Sequence, residues 1–545
     1  MLFVDPAGDD SGPGTVREPF ATLERARAAA QPGAVVSLRA GVYRLTEPFL
    51  LQAADSGVTY QAYEGEKVVI SGGRQITGWR KEADGTYTAE VPDLAFRQLY
   101  VSGRRAGRAS LPLREPLSRT ATGYTGAPVW PGDVELVYQG VYPWSEARIP
   151  VVESAGGTLT MAQPAFGWAT ELYHSVIRWN GPEAQEAYGV DNPTSAENSP
   201  AFLTPGTFAL SAGVLHYLPL PGEEVADVVA PVLETLVRGE NVHDVVFRGV
   251  TFADATWLHP SSPQGFLHYH GNGYHNGGET FTVEFGDGAG SVVVPADAQP
   301  MPGNIVLTDS ARITFDGCHF TRLGGVALEF RGDSDGHILR DSVISDVAGG
   351  GVVIGGEARD CRIENNHVHH VGLDYRGSPA ILLSGTKNAV VAHNEVNDVP
   401  HAGIVVYSTT RTQVVNNLVH NTMQALADGG GIYLSGPQGT SYDDGAVVRG
   451  NVVRDTITPY NFALYTDYGA AWITVQDNVI HRNDKPVVLE VSPPLDHVSF
   501  VGNYWNADPG TAPDTVTLAG NTVLSEDQFA THHAVAAIVT EAGRH

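Results

Sequence analysis

The chain reads as all-β, a parallel β-helix with an N-terminal capping helix and an inserted β-rich subdomain. The first observation is a side-chain ladder: Asn366 in ENNHV, Asn394 in HNEV, Asn417 in NNLV, Asn451 in GNVV, Asn478 in DNVI and Asn503 in GNYW recur at intervals of 28, 23, 34, 27 and 25 residues, each followed two positions on by an apolar residue. The second is a further set of short apolar runs between these asparagines, at 324–330, 349–356, 378–385, 401–408, 428–436, 461–469 and 485–492. Two or three short strands per period, with no helical spacing between them, describe coils that bury their inner faces only by stacking. The third is composition: 62 glycines, 34 prolines and only 17% charged residues in 545 suit a turn-rich β chain. Asparagines repeated in one inward turn position can hydrogen-bond their copies above and below, which holds the coils in parallel register.

The start, PFATLERARAAA, predicts one short amphipathic helix at roughly 20–31, placed to close the open apolar end of the solenoid. First coils follow, giving an N-terminal segment 1–95. The coil rhythm then stops until VHDVVFRGVTFAD at 242–254, so 96–240 is expected to form an inserted, sandwich-like β subdomain. The main β-helix is placed at 241–545, interrupted by a loop at 255–304. Within that loop HYHGNGYHNGGE carries His268, His270 and His275. Lacking a cysteine or a carboxylate at ligand spacing, it reads as a solvated glycine-rich loop rather than a metal site.

The net charge of −28 provides no basic patch for nucleic acid or an anionic membrane, and weighs against strongly acidic polymers as substrate. No run of 18 apolar residues offers a membrane span. The opening MLFVDPAG has no basic n-region or apolar h-region, which predicts a cytoplasmic protein as the sequence stands, or a secreted one whose leader has been removed. Cys318 takes the ladder phase, with Asp341 the next rung, while Cys361 lies two coils on. At about 10 Å apart along the axis the pair is too distant for a disulfide, so both read as buried thiols.

A packed solenoid core leaves no room for substrate, so chemistry is expected on an outward face. Ile404, Ile432, Leu464 and Val487 align as one inward column. Alternation along the strands then sends Ala327, Val353, Leu382, Val405, Tyr433, Tyr465 and Val488 outward in one column, and Glu329, Gly355, Ser384, Tyr407, Ser435, Asp467 and Glu490 in another. Asp467 and Glu490 would sit on adjacent coils, about 4.8 Å apart along the axis, with Asp428 one coil below Asp467 at the start of DGGGIY. Asp428, Asp467, Tyr433, Tyr465, His401 and Glu490 therefore converge. Glycoside hydrolysis needs this equipment: a protonated carboxyl for the leaving oxygen, a second carboxylate as nucleophile or base, and rings to hold the sugar. Asp428 and Asp467 are the expected catalytic pair, with Asp467 as acid because Glu490 beside it would raise its pKa. His401, Tyr433, Tyr465 and Glu490 are expected to contact substrate.

Several motifs carry a resemblance: FVDPAGDD and PFATLERARAAA at the start, RQLYVSGRRAGRAS (97–110), LHYLPLPGEE (215–224), APVLETLV (230–237), DVVFRGVTF (244–252), VGLDYRG (371–377), ADGGGIYLSGPQGT (427–440) and ALYTDYGAAWITVQDNVI (463–480). Together they make the chain similar to glycoside hydrolase family 141 and, more distantly, to the family 120 xylosidases. The resemblance implies a right-handed coil, an oligosaccharide or polysaccharide substrate, hydrolysis without a cofactor, and catalytic roles for the aspartates of DGGGIY and LYTDYG, here Asp428 and Asp467. This chain has DYGAA where the family runs closer to D-x-G-S, which bears on the sugar more than on the reaction. Fucosidase and xylan-cleaving activities both occur among such relatives. The two insertions suggest exo action by walling off the cleft. Two rivals stay open: a polysaccharide lyase or uronate epimerase, with Asp443 and Asp444 on calcium and Lys485, Arg411 or Arg454 as base, and a non-catalytic carbohydrate-binding solenoid. Oligomeric state is not legible in the sequence.

Overall fold

The computed structural model describes residues 1–173, 189–191, 193–268, 273–285, 290–296, 299–458 and 460–545. The chain divides into two compact units. The first comprises Met1–Gly72, Thr235–Ala255 and Pro302–His545; the second comprises Gly73–Glu234 and Thr256–Met301.

The first unit is a right-handed parallel β-helix with three strands per coil. One coil runs through Gly430–Pro437, Ala446–Arg449 and Val452–Thr456 before Phe462–Gln476 begins the next. Each strand pairs in parallel with its counterpart one coil away, as in Ile404↔Ile432↔Leu464↔Val487, the inward column read from the sequence. Inside the coils, aromatic side chains stack at the strand spacing: Tyr60 on Phe247 at 5.4 Å, Phe247 on Phe315 at 5.2 Å and Phe252 on Phe320 at 5.3 Å. Such offset stacks add to the burial of each ring.

The asparagine ladder stands at the turn between the second and third strands. Nδ2 of each asparagine donates to Oδ1 of the next, from Asn366 through Asn394, Asn417, Asn451, Asn478 and Asn503 to Asn521, at 2.9–3.0 Å. Each Nδ2 also donates to a backbone carbonyl, and each Oδ1 takes a backbone N–H, so these buried amides are satisfied. Below Asn366 the next rung is Ser342, not Asp341: its Oγ accepts from the Cys318 amide, and its own amide donates to Asn366. Cys318 and Cys361 are buried free thiols, and burial raises the pKa of both.

The N-terminal helix covers Leu23–Ala29, capped by the Thr22 hydroxyl, and packs on the terminal strand Leu2–Val4. Two C-terminal helices, Glu526–Thr531 and His533–Glu541, were not expected. Phe529 and Val535 cover an outward apolar column that includes Val452 and Val479. These valines would otherwise leave an exposed apolar stripe on the solenoid.

The second unit differs from the expected insertion in its bounds and its make-up. It begins at Gly73 rather than 96, because Gly73–Ile76 and Tyr87–Glu90 pair antiparallel with strands of the insertion. It also takes in Thr256–Met301 from the 255–304 interruption, whose strand Phe266–His268 pairs with Glu146–Ala155. Its two principal sheets bury separate apolar clusters, one around Tyr138, Ile149 and Phe166, the other around Leu99, Phe208 and Tyr217, instead of sharing one sandwich core. Beneath the first lies a buried ion network in which Glu135 meets Arg97 at 2.6 Å and Arg108 at 3.2 Å, and the guanidinium charges hold its carboxyl ionised against the cost of burial. His268 and His275 do not stand in a solvated loop. Phe266–His268 and Gly273–His275 form an antiparallel pair that buries His268 and His275, and burial keeps both imidazoles neutral. His270 lies outside the described residues.

Candidate active site

The first strand of the coil stack turns two tyrosines and an aspartate outward. Tyr433 pairs with Tyr465, and Ser435 with Asp467, across adjacent coils. In the lower coils the expected columns slip by two residues, because Glu329, not Ala327, pairs with Val353. Ala327 and Glu329 are both buried, and Glu329 accepts from the Gly303 amide and from Arg331. The upper column, Ser384↔Tyr407↔Ser435↔Asp467, is as expected.

Asp428 enters where the strand begins, with left-handed backbone (φ 56°), a conformation a short polar side chain tolerates. The three glycines after it are required by close packing. A Cβ on Gly429 would lie 2.5 Å from Met423 Cε and 3.0 Å from His401 Nε2, one on Gly430 would meet the Phe462 carbonyl at 2.9 Å, and one on Gly431 would meet Val453 at 2.6 Å. Asn461, fully buried on the next coil, accepts from the Gly429 amide at 3.2 Å and anchors the turn.

Two crossed hydrogen bonds tie the carboxylates together. The Tyr433 hydroxyl donates to Asp467 Oδ2 at 2.7 Å, and the Tyr465 hydroxyl, one coil up, donates back to Asp428 Oδ1 at 2.9 Å. The backbone N–H of Tyr468 supplies Asp467 Oδ1 at 2.7 Å. Tyr465 also lies against Asp467, and burial with both neighbouring carboxylates holds its phenol far above the ordinary range, so it stays a donor. Under the pair runs an apolar floor of Ala402, Val405, Met423 and the two tyrosine rings, flanked by Leu382, Tyr407, Phe462 and Val488.

That floor sets the electrostatics. Burial, then the charge of Asp467, push the Asp428 carboxyl up to about 7, against the lowering effect of the Tyr465 hydrogen bond. Burial also raises Asp467, opposed by Tyr433, the Tyr468 amide and Tyr465. Both oxygens of Asp467 accept a hydrogen bond, whereas Asp428 accepts through Oδ1, so Asp467 ionises first and Asp428 keeps its proton toward neutral pH. The expected cause of a raised Asp467, a neighbouring Glu490, is not what acts on it. Glu490 is exposed, lies beyond the strand Lys485–Val487, and is not among the groups that shift Asp467.

His401 is only 3% exposed and lies beneath the site rather than on it. Its ring faces Ala427 O at 3.4 Å and packs under Gly429, and burial lowers its pKa to about 4, so it is a neutral support for the turn that carries Asp428. Tyr433 and Tyr465 are 8% and 6% exposed, and their hydroxyls serve the carboxylates. Phe462, the Tyr468 amide and Asn461 were not singled out from the sequence, although NFALYTDYG contains all three.

No cluster of three or more His, Cys, Asp or Glu suited to a metal is found among the described residues. Asp444 caps its own turn, accepting from the Thr440 and Ser441 amides and hydroxyls. Arg454 pairs with Asp455, and Lys485 lies over the Tyr460 and Phe462 rings.

A family model described as the right-handed β-helix region matches residues 300–442. No curated protein sequence matches the chain. Among solved structures it is similar to one described as a glycoside hydrolase, with 22% identity, a TM-score of 0.76, and coverage of 100% of this chain and 98% of that one. It is also similar to XylC, solved in complex with xylose, with 14% identity, a TM-score of 0.52, and coverage of 95% and 86%. The A-module of the mannuronan C-5 epimerase AlgE4 from Azotobacter vinelandii aligns over 53% of this chain and 73% of its own at 14% identity, with a TM-score of 0.32 that carries no argument. At these identities the shared property is the fold.

Proposed function

We propose that this protein is a glycoside hydrolase acting on neutral oligosaccharides or polysaccharides, with Asp428 as general acid and Asp467 as nucleophile or base. The observation that carries the reading is the unequal treatment of two carboxyls on one outward strip. Asp467 has a donor on each oxygen, which suits a carboxylate that must stay ionised to attack carbon or take a proton from water. Asp428 accepts from Tyr465 through Oδ1, which leaves Oδ2 to carry the proton that a departing sugar oxygen needs. Environments that drive two pKa values apart define acid and base roles in glycosidases.

In the reaction, Asp428 protonates the glycosidic oxygen as the bond to the anomeric carbon breaks. Asp467 stabilises the positive charge that develops there, by attack or through an activated water. Tyr433 and Tyr465 hold the carboxylates in place. The structural similarity to a glycoside hydrolase and to XylC, and the sequence resemblance to glycoside hydrolase family 141, support this reading over lyase or epimerase chemistry and over binding without turnover. The test is the product. Release of new reducing ends from neutral glycans supports hydrolysis; an unsaturated, ultraviolet-absorbing product from a uronate polymer supports a lyase; binding with no product supports a binding solenoid.

A further inference from the structure

The coil that carries Asp467 holds a backbone anomaly. Among the described residues only three Phe, Tyr or Trp residues have left-handed backbone, and all three fall on this coil: Tyr460 (φ 62°), Tyr468 (φ 43°) and Trp472 (φ 60°). The other non-glycine residues in this region are mostly Asp, Asn, His, Arg and Ser, types with short or polar side chains or at exposed turns. Left-handed backbone is unfavourable for a bulky aromatic, and such strain persists where surrounding structure imposes it, commonly at functional sites.

Trp472 has a structural reason. His497 stacks on its ring at 3.8 Å and Tyr442 packs edge-on at 5.5 Å. Tyr460 and Tyr468 are different: they are 37% and 44% exposed, and one precedes the strand Phe462–Gln476 while the other lies within it, directly after Asp467. Tyr468 is coupled to the pair through its amide, which donates to Asp467 Oδ1. Tyr460 is linked to the pair through Lys485 and Phe462. The Phe462 ring lies 4.5 Å from that of Tyr465, and the Lys485 ammonium sits 5.7 Å from the Phe462 ring and 5.6 Å from that of Tyr460. Lys485 therefore fixes the Tyr460 ring from one side by cation–π attraction. The two tyrosines are eight positions apart, a reach of at most roughly 26 Å along a strand, room for several pyranose rings.

Resting on the hydrolase reading, we infer that Tyr460 and Tyr468 are ring platforms on either side of the Asp428–Asp467 pair, and that the substrate is a neutral saccharide extending beyond the cleaved bond in both directions. The flat, apolar faces of pyranoses stack on exposed aromatic rings, and a tyrosine supplies such a face at low conformational cost. An internal chain segment, not only a terminal sugar, would then occupy the site, in place of the exo mode expected from the two insertions.

The test uses the full chain carrying Asp428→Asn, titrated with neutral xylo-, manno- and cello-oligosaccharides of two to six units. Affinity for one series should rise with length, and should fall by about tenfold in Tyr460→Ala and in Tyr468→Ala. It should be retained in Tyr460→Phe and Tyr468→Phe, which keep the ring. If a saccharide that the wild type hydrolyses binds with no length dependence and no loss in either alanine variant, the platforms are wrong while the hydrolase reading stands. If the wild type cleaves no glycan and the Asp428→Asn protein binds none, the functional reading fails and takes this inference with it.

Discussion

Tyr433 donates its hydroxyl proton to Asp467 Oδ2 across a coil boundary, at 2.7 Å. The bond exists because parallel in-register pairing sets Tyr433 beside Tyr465, so that each tyrosine reaches the aspartate associated with the other coil. Register thus carries part of the site: a slip of one residue in the strand Phe462–Gln476 would turn Tyr465 and Asp467 into the core.

Tyr433→Phe keeps the ring and removes one of the donors that lower the Asp467 pKa. The acidic limb of the kcat/KM profile should therefore move to higher pH, and kcat should fall by about tenfold or more. A profile that keeps its acidic limb would separate Tyr433 from Asp467 ionisation.

The alkaline limb reports Asp428, whose carboxyl is raised to about 7. Activity that needs the protonated acid should decline as pH rises through that value. Tyr465→Phe deletes a hydrogen bond that lowers the Asp428 pKa, so the residual activity should decline at a higher pH than in the wild type. A downward move would contradict the assignment of this limb.

Stability should carry the same signature. In the unfolded chain an aspartate loses its proton near pH 4, whereas folded Asp428 keeps it to about 7. Between those values the folded state binds the extra proton, so stability falls as pH rises, and the penalty is complete above about 7. Asp428→Asn removes the penalty. Its melting temperature should match that of the wild type near pH 4 and exceed it near pH 8, by a free energy of up to about 4 kcal/mol.

The ladder predicts a large loss from a single amide. Asn451→Ala strands the Asn417 backbone N–H, which donates to Asn451 Oδ1, takes one of its acceptors from Asn417 Nδ2, and removes the donor that Asn451 Nδ2 gives to the Val414 carbonyl. Unsatisfied buried groups cost about 1–3 kcal/mol each, so denaturant unfolding should show a loss of roughly 3 kcal/mol or more. A loss below about 1 kcal/mol would mean that water replaces the rung.

Most of the β-helix could be read from the sequence because every coil repeats the same physical demand. Asn366 through Asn503 mark one buried turn, and Ile404, Ile432, Leu464 and Val487 mark one inward column. The outward placement of Tyr433, Tyr465 and Asp467 was legible for the same reason, since alternation fixes the face once the inward column is known. What failed lay where alternation stops. Glu490 follows a strand that ends at Val487. His401 precedes its strand, where the chain is still turning and the ring folds under Gly429. Glu329 follows a glycine pair that, aligned on its last glycine with the triplet 349–351, sets Ala327 opposite Val353, two residues away from the true partner Glu329. The C-terminal helices carried a readable signal, the Ser525 and Gln528 capping box ahead of an alanine-rich run.

The most direct measurement is turnover of neutral aryl-glycosides of both anomers by the wild type, Asp428→Asn and Asp467→Asn. The account predicts release of one sugar by the wild type and a fall of about a thousandfold or more in each variant, with Asp428→Asn losing least on substrates whose leaving group needs no proton. Full activity in either variant, or hydrolysis that depends on some other carboxylate, would contradict it.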